Sequence, residues 1–541
     1  MGGGVSAVGA PRPVPSVTVA DLLRRSYEQF APRTAVVQDG GAVTYGELGA
    51  RALRVAAALR AHGLVHGDRV VLLTSNRAEF FEVEHAAFLG GFVRLALSPR
   101  LHPKEVAHIL RDAGARALFV DPEWAGRIDD VLAGCPDVVL AVGFGEPPPD
   151  TPIQQSYGDL LAGSPDPEPV PWPVEPEDIA ALLYTSGTTG LPKGAALSHR
   201  NWVAMMRNCL VEMPPVDESD LLLHVAPLSH FSGYTASPCF ARGAGNLVLP
   251  RFDPRETLRA LRTHPVTILP MVPTMINMVT AAAEDEGGEI HTSLRAVIYG
   301  GAAIAPDRLR RATRVFGDVF LQFYGLSETP MPLTSLSRAA HVFDPAEPVP
   351  ERLASAGRVN PFVELRLVGD DGADVRPGEV GEIVVRGDTI MRGYWNKPDE
   401  TAHMIEADGW AATGDLGRTD AEGYLYVVDR KKDMIVTGGY NVYPTEVENA
   451  IATLPGVAEV AVVGAPDERF GECIVAVVAP RAGHTVTDRD VVGVCTDQLA
   501  DYKKPRRVLF VDELPKTGSG KIQRKRIREP LWAAETRRVG G

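Results

Sequence analysis

The stretch Tyr184-Thr185-Ser186-Gly187-Thr188-Thr189-Gly190-Leu191-Pro192-Lys193-Gly194 follows directly on an apolar run at 179–183. Its composition is that of a phosphate cradle. Glycines permit positive φ and close backbone approach, and successive N–H groups can form an anion nest. Four hydroxyls, from Thr185, Ser186, Thr188 and Thr189, add donors, and Lys193 adds positive charge. The loop is not of the Walker A type, because Pro192 stands where that pattern needs Gly before the Lys. A strand running into such a loop points to a layered α/β fold.

The surrounding sequence carries the same alternation. Upstream, the spacing predicts helices at 19–30, 45–62 and 78–89 between strands at 34–38, 69–73 and 92–97, with Gly63 ending the second helix. Pro and acidic residues crowd 146–178, read as a surface connection between two α/β halves. Strand patterns then recur at 221–225, 246–249, 267–269 and 296–299. Beyond Ser355 short β-runs with Gly turns, such as 362–368 and 381–385, indicate a β subdomain. Of ten lysines, seven lie at or after Lys431, a compositional shift that marks a further domain. The expected architecture is α/β: residues 1–429 form a large N-terminal domain of two layered halves plus the β subdomain, and 430–541 form a small, mobile α+β domain.

Composition narrows the function. The 541 residues are 45% hydrophobic and 23% charged, as in soluble globular proteins. A net charge of −14 argues against a general electrostatic grip on nucleic acid. Five scattered cysteines lack zinc or disulfide spacing and read as reduced thiols of a cytoplasmic protein. Two 21-residue stretches without Asp, Glu, Lys or Arg, 221–241 and 263–283, are interrupted by His and Pro and read as buried segments, not membrane spans. No apolar run suited to a signal peptide opens the sequence.

Further motifs follow in order: Pro227-Leu228-Ser229-His230, Gly300-Gly301-Ala302-Ala303, Tyr324-Gly325-Leu326-Ser327-Glu328-Thr329, Thr413-Gly414-Asp415, Asp429-Arg430-Lys431-Lys432-Asp433 and Pro515-Lys516-Thr517-Gly518-Ser519-Gly520-Lys521. With the Ser/Thr/Gly loop, they make the sequence resemble the adenylate-forming superfamily of acyl- and aryl-CoA synthetases, adenylation domains and luciferases. The resemblance implies a two-step reaction at one site. A carboxylate attacks the α-phosphate of ATP, releasing pyrophosphate, and a nucleophile, commonly the thiol of coenzyme A, then takes the acyl group. Both steps concentrate negative charge, so preorganised donors and cations dominate catalysis.

The resemblance assigns roles by position. Lys521 bridges the carboxylate and the α-phosphate, while Glu328 holds Mg2+ with Thr185 and Ser327 near the phosphates. Thr185, Ser186, Gly187, Thr188, Thr189 and Lys193 cradle the phosphates. Gly301, Ala302 and Ala303 pass close to adenine, Tyr324 offers its ring for stacking beside Gly325, and Asp415 accepts from the ribose hydroxyls with Arg430 assisting. His230 meets the substrate carboxylate, and Phe231, Tyr234, Val272, Gly325 and Met331 line the acyl pocket, suggesting an apolar or aromatic acid. The segment 221–241 contains no acid to pair an ammonium, which disfavours an α-amino acid.

Lys432 is the implied hinge. The C-terminal domain delivers Lys521 for adenylation and then rotates to present Gly438, Gly439 and Tyr440 to the acceptor. The expected activity is that of an acid–CoA ligase, a monomer or homodimer. Two alternatives remain open: transfer to an amine or to a carrier-protein thiol, and nucleotide binding without turnover. The basic runs Lys503-Lys504-Pro505-Arg506-Arg507 and Arg524-Lys525-Arg526 could attract the phosphates of coenzyme A or an acidic carrier protein, or simply form a solvated charged face.

Overall fold

The computed structural model describes residues 17–124, 126–167, 172–185, 191–288, 290, 293–302, 304–344, 347–437, 440–467, 469–516 and 522–539. Helix boundaries follow local chemistry. Thr18 and Thr44 open helices Val19–Gln29 and Tyr45–Ala61 with reciprocal capping boxes to Asp21 and Glu47. Helix Ala78–Gly90 ends at Gly91, whose φ of 67° a side chain would disfavour.

Among the described residues, four sheets form. An eight-stranded sheet runs in spatial order Gly393–Tyr394, Lys193–Ser198, Ile179–Thr185, Val93–Leu97, Arg69–Leu73, Ala115–Val120, Leu140–Gly143 and Gln155–Ser156. A nine-stranded sheet runs Arg358–Val359, Thr334–Leu336, Phe320–Tyr324, Ala296–Gly300, Ile268–Met271, Leu221–His224, Gly245–Val248, Thr34–Gln38 and Gly41–Thr44. The central strands of both sheets are parallel and buried, which is why they read as continuous apolar runs such as Val70 to Leu73. One core joins the two sheets through the helices between them, with Phe80, Phe81, Phe88, Trp202 and Phe240 packed together.

A four-stranded antiparallel sheet, Glu364–Val368, Gly381–Arg386, Ala411–Thr419 and Leu425–Arg430, forms the β subdomain. A smaller domain follows, built on strands Ile435–Thr437, Tyr440–Val442, Val457–Asp467, Gly471–Pro480 and Arg507–Phe510, with its own apolar clusters. The chain is thus mixed α/β, with a large N-terminal domain and a smaller C-terminal one.

Three details differ from the sequence reading. Strand Ile179–Thr185 pairs antiparallel with Lys193–Ser198, matching Thr185 to Lys193, so these two strands form a hairpin. The connection at 146–178 contains helix Tyr157–Ala162, capped by Ser156, and its Tyr157 hydroxyl donates to buried Glu82 at 2.7 Å. The strand expected at 362–368 starts at Glu364, because Asn360 holds a turn through its carbonyl to Val363 N and its side chain to Phe362 N.

No helix among the described residues is long and apolar enough to cross a membrane. Residues 221–241 and 263–283 fold instead as strand–helix segments packed into the core.

Candidate active site

The parallel strands of the nine-stranded sheet place several motif residues beyond their C-terminal ends, where open α/β sheets bind ligands. Val272 follows strand Ile268–Met271 and precedes helix Pro273–Asp285. Gly301 and Ala302 follow strand Ala296–Gly300; Gly301 has φ 78° and both residues are exposed. Tyr324 ends strand Phe320–Tyr324, and a Cβ on Gly325 would come within 2.7 Å of Met331 backbone atoms, so this turn requires glycine.

Two connected clusters occupy this region. In the first, Glu328 Oε1 accepts from Thr185 Oγ1 at 3.3 Å and from the Tyr394 hydroxyl at 3.0 Å. The Lys193 ammonium sits 5.5 Å from the Tyr394 ring centroid and pairs with Glu400. Burial, with Glu328 and Glu400 nearby, holds the Tyr394 hydroxyl far above the usual phenol range, so it remains a donor. The second cluster is built on Asp415, which is 4% exposed. Its Oδ2 accepts from the Tyr324 hydroxyl at 2.7 Å, its Oδ1 pairs with Arg430 Nε at 2.6 Å, and its own N–H donates to Thr413 Oγ1.

Both clusters are anchored on one turn, since Tyr324 binds Asp415 and Glu328, four residues later, binds Thr185 and Tyr394. The Lys432 ammonium feels both Asp415 and Glu328, although partial burial is the main influence and lowers its pKa. Ser327 is half-buried between Gly325 and Glu328. Ser186, Gly187, Thr188 and Thr189, together with Ala303, Gly438, Gly439 and Lys521, lie outside the described residues.

The expected acyl-pocket residues lie on helix Phe231–Phe240 and the residue before it, at Val272, and on the turn after strand Phe320–Tyr324. His230 precedes helix Phe231–Phe240, and its Nδ1 pairs with Ser229 Oγ at 2.8 Å. The Phe231 ring faces Gly300, where an added Cβ would lie 3.0 Å from Cε2. Tyr234 meets Trp202 edge-on at 5.7 Å, and burial pushes its hydroxyl up to about 12. Met331 is buried, with its carbonyl 3.7 Å from Cys209 Sγ.

Around the C-terminal motif, the flanks 516 and 522 form a bridge, reinforced by Gln523 Nε2 donating to Lys516 O at 3.0 Å. Arg524 makes a two-point contact with Glu448, at 3.2 and 2.7 Å. Asp429 Oδ2 accepts from Thr445 N at 2.8 Å, across the expected hinge. Tyr440 is exposed and stacks on Tyr502 at 4.6 Å.

Sequence reading missed Tyr394 and Glu400. Tyr394 lies 66 residues beyond its partner Glu328, so no local spacing links them. The structure also adds protein partners around Asp415. The Tyr324 hydroxyl donates to Asp415 Oδ2 and Arg430 Nε pairs with Oδ1, so each Asp415 oxygen has a protein partner.

Hard oxygen donors suit Mg2+, which is commonly held by one or two carboxylates plus waters and phosphates. Glu328 with its two hydroxyl neighbours fits that pattern. Among the described residues, no group of three or more His, Cys, Asp or Glu could hold a metal by itself.

A fold of this layout, with Glu328 and the Asp415 cluster tied to one turn beyond the strand ends, is that of an adenylate-forming enzyme. The chain belongs to the AMP-binding enzyme family, whose model matches residues 23–395, while the AMP-binding enzyme C-terminal domain matches residues 446–521. It is 38% identical over 503 residues to a feruloyl-CoA synthase of Amycolatopsis sp, covering 92% of this chain and 96% of that one. It is 36% identical over 519 residues to the fatty acid–[acyl-carrier-protein] ligase ScoC of Streptomyces coeruleorubidus, covering 95% and 96%. Among solved structures, ATP-bound MatB from Rhodopseudomonas palustris superposes with a TM-score of 0.83 at 32% identity, covering 95% of this chain and 99% of that one.

Proposed function

We propose that this enzyme is an AMP-forming acid–thiol ligase. It activates an apolar or aromatic carboxylic acid with ATP and transfers the acyl group to coenzyme A. The observation that carries this reading is the turn that ties two acidic centres together, with Tyr324 holding Asp415 and its partner Arg430, and Glu328 holding Thr185 and Tyr394, whose ring lies beneath Lys193. That is a binding arrangement for a nucleoside triphosphate, with hydroxyls and cations toward the phosphates and a buried carboxylate toward the ribose. Exchange of Lys193 from Glu400 to a phosphate would release the loop cation to the substrate.

Tyr324 and Arg430 orient Asp415 for the ribose. Thr185 and Tyr394 orient Glu328, which would hold Mg2+; when bound, that ion neutralises phosphate charge. His230, Phe231, Tyr234, Val272 and Met331 would form the acid's pocket, with apolar and aromatic surface selecting apolar substrates. We place the domain division at 429/430, with Lys432 as hinge, Lys521 as the cation for adenylation, and Gly438, Gly439 and Tyr440 as the acceptor face. The protein would act in the cytoplasm as a monomer or homodimer.

A pyrophosphate-release screen over aliphatic, aryl and amino acids with ATP and Mg2+ tests the first step. Mass spectrometry with coenzyme A, amines or a carrier protein tests the second. The relationship to a ligase named for an acyl-carrier protein supports a carrier thiol as the second acceptor to try. Absence of acid-dependent pyrophosphate release across the screen would reduce the chain to a nucleotide-binding protein.

A further inference from the structure

The loop that carries His230 belongs to the nine-stranded half, yet buried polar groups from the other half hold it. Asn76, on the turn after strand Arg69–Leu73, is 6% exposed. Its Nδ2 donates to Ala226 O at 3.0 Å, and its Oδ1 accepts from Leu228 N at 2.9 Å. A single side chain thus grips the loop backbone on both sides of Pro227, much as a neighbouring strand would.

Arg94 supplies a second grip. It is fully buried on strand Val93–Leu97, with Nε donating to Glu84 Oε1 at 2.8 Å and Nη2 to Leu228 O at 3.4 Å. Its guanidinium lies 5.4 Å from the Trp202 ring, the same ring that meets Tyr234 edge-on. The Leu228 carbonyl is confined from its far side too, since a Cβ on Gly233 would approach its oxygen to 2.0 Å. Arg94 Nη1 has no hydrogen-bond partner among the described residues.

A buried ion pair is weak evidence for stability, because apolar replacements of similar volume are often neutral or better. A buried Glu84–Arg94 pair whose one further hydrogen bond among the described residues goes to a loop carbonyl therefore calls for another role. We propose that Asn76 and the Arg94–Glu84 pair are positioning residues for acid recognition. They fix the 226–229 backbone, and through it the placement of His230 and Phe231, so that acid preference is set partly by residues that never touch the acid. This rests on the acid-activating function proposed above.

The test uses full-length Asn76→Ala and the double variant Glu84→Leu with Arg94→Met, which leaves no buried charge unpaired. Pyrophosphate release is measured with ATP and each of ferulate, indoleacetate and decanoate. Amide hydrogen exchange is measured on the peptide spanning 226–230. The expected result is faster exchange at that peptide and a loss of about tenfold in kcat/KM for the preferred acid. Altered ratios among the three acids should accompany this, with KM for ATP and the unfolding temperature little changed. A merely structural role would lower the unfolding temperature and the active fraction without changing the ratios.

Unchanged exchange in both variants overturns the proposal, as does faster exchange with unaltered ratios. If the unmodified enzyme releases no pyrophosphate with any acid, the proposed function fails, while the exchange measurement still decides whether these residues hold the loop.

Discussion

Replacing Tyr324 by Phe separates two contributions that the sequence alone merges. The ring stays, preserving any stacking with adenine, while the hydroxyl that donates to Asp415 Oδ2 at 2.7 Å is deleted. A hydrogen bond to a charged group contributes about 1.5–3 kcal/mol. Arg430 Nε still pairs with the other oxygen at 2.6 Å, and Thr413 still holds the Asp415 N–H, so the carboxylate keeps most of its orientation. The lower end therefore applies, and about 1.5 kcal/mol corresponds to roughly a tenfold rise in KM for ATP. Tyr324→Leu should cost a few-fold more, since an aromatic contact adds about 0.5–1.5 kcal/mol. The assay is acid-dependent pyrophosphate release at varied ATP, with KM for the acid as the internal control. Tyr324→Phe within twofold of the parent in KM for ATP would refute the claim that the hydroxyl presents Asp415 to the nucleotide. Equal changes in both KM values would refute it as well, by pointing to a general disturbance.

Three other perturbations test the remaining parts of the site and fold. Lys521→Ala should lower adenylation by about 100-fold or more while sparing thioester formation from supplied acyl-adenylate, and near-normal pyrophosphate release would remove Lys521 from the first step. Glu328→Gln should shift Mg2+ activation to roughly tenfold higher concentration by exchanging a charged oxygen ligand for a neutral one; an unmoved Mg2+ titration counts against Glu328 as ligand. Burial depresses His85 to about 3 and His199, His224 and His341 to about 4, so all four are neutral in the folded state at pH 7. Unfolded histidine takes up protons near pH 6.5, so stability is full above that value and falls as pH drops toward 4, by up to about 1.4 kcal/mol per unit for each histidine. Thermal unfolding between pH 7.5 and 5 reads this, and His199→Phe should flatten the dependence because both His199 ring nitrogens lack partners among the described residues.

Much of the architecture was legible because its signals are local. Strand Arg69–Leu73 coincides with its apolar run, and helix Tyr45–Ala61 is bounded by Thr44 and Gly63, residues whose chemistry marks helix ends. The motif residues were legible for a similar reason: Gly325 and Asp415 belong to short contiguous patterns. The hairpin between Thr185 and Lys193 was not, since strand direction depends on pairing rather than periodicity.

The residues that sequence reading missed share one property: each acts on a partner far along the chain. Tyr394 reaches Glu328, and Asn76 reaches a loop 152 residues away at Leu228. Neither belongs to a pattern, because the folded topology alone creates the contact. Arg94 is the sharpest case. On sequence it interrupts an apolar strand, which would ordinarily argue for an edge or a solvent-facing position, yet it is fully buried beside Glu84. Desolvating that charge is favourable only with a partner in place, and the partner comes from helix Ala78–Gly90 ten residues earlier. A charge inside an otherwise apolar strand is thus a searchable signal, whose meaning depends on whether an opposite charge lies on the preceding helix. In this enzyme both conditions hold, and the remaining guanidinium contact is directed at the loop that ends in His230.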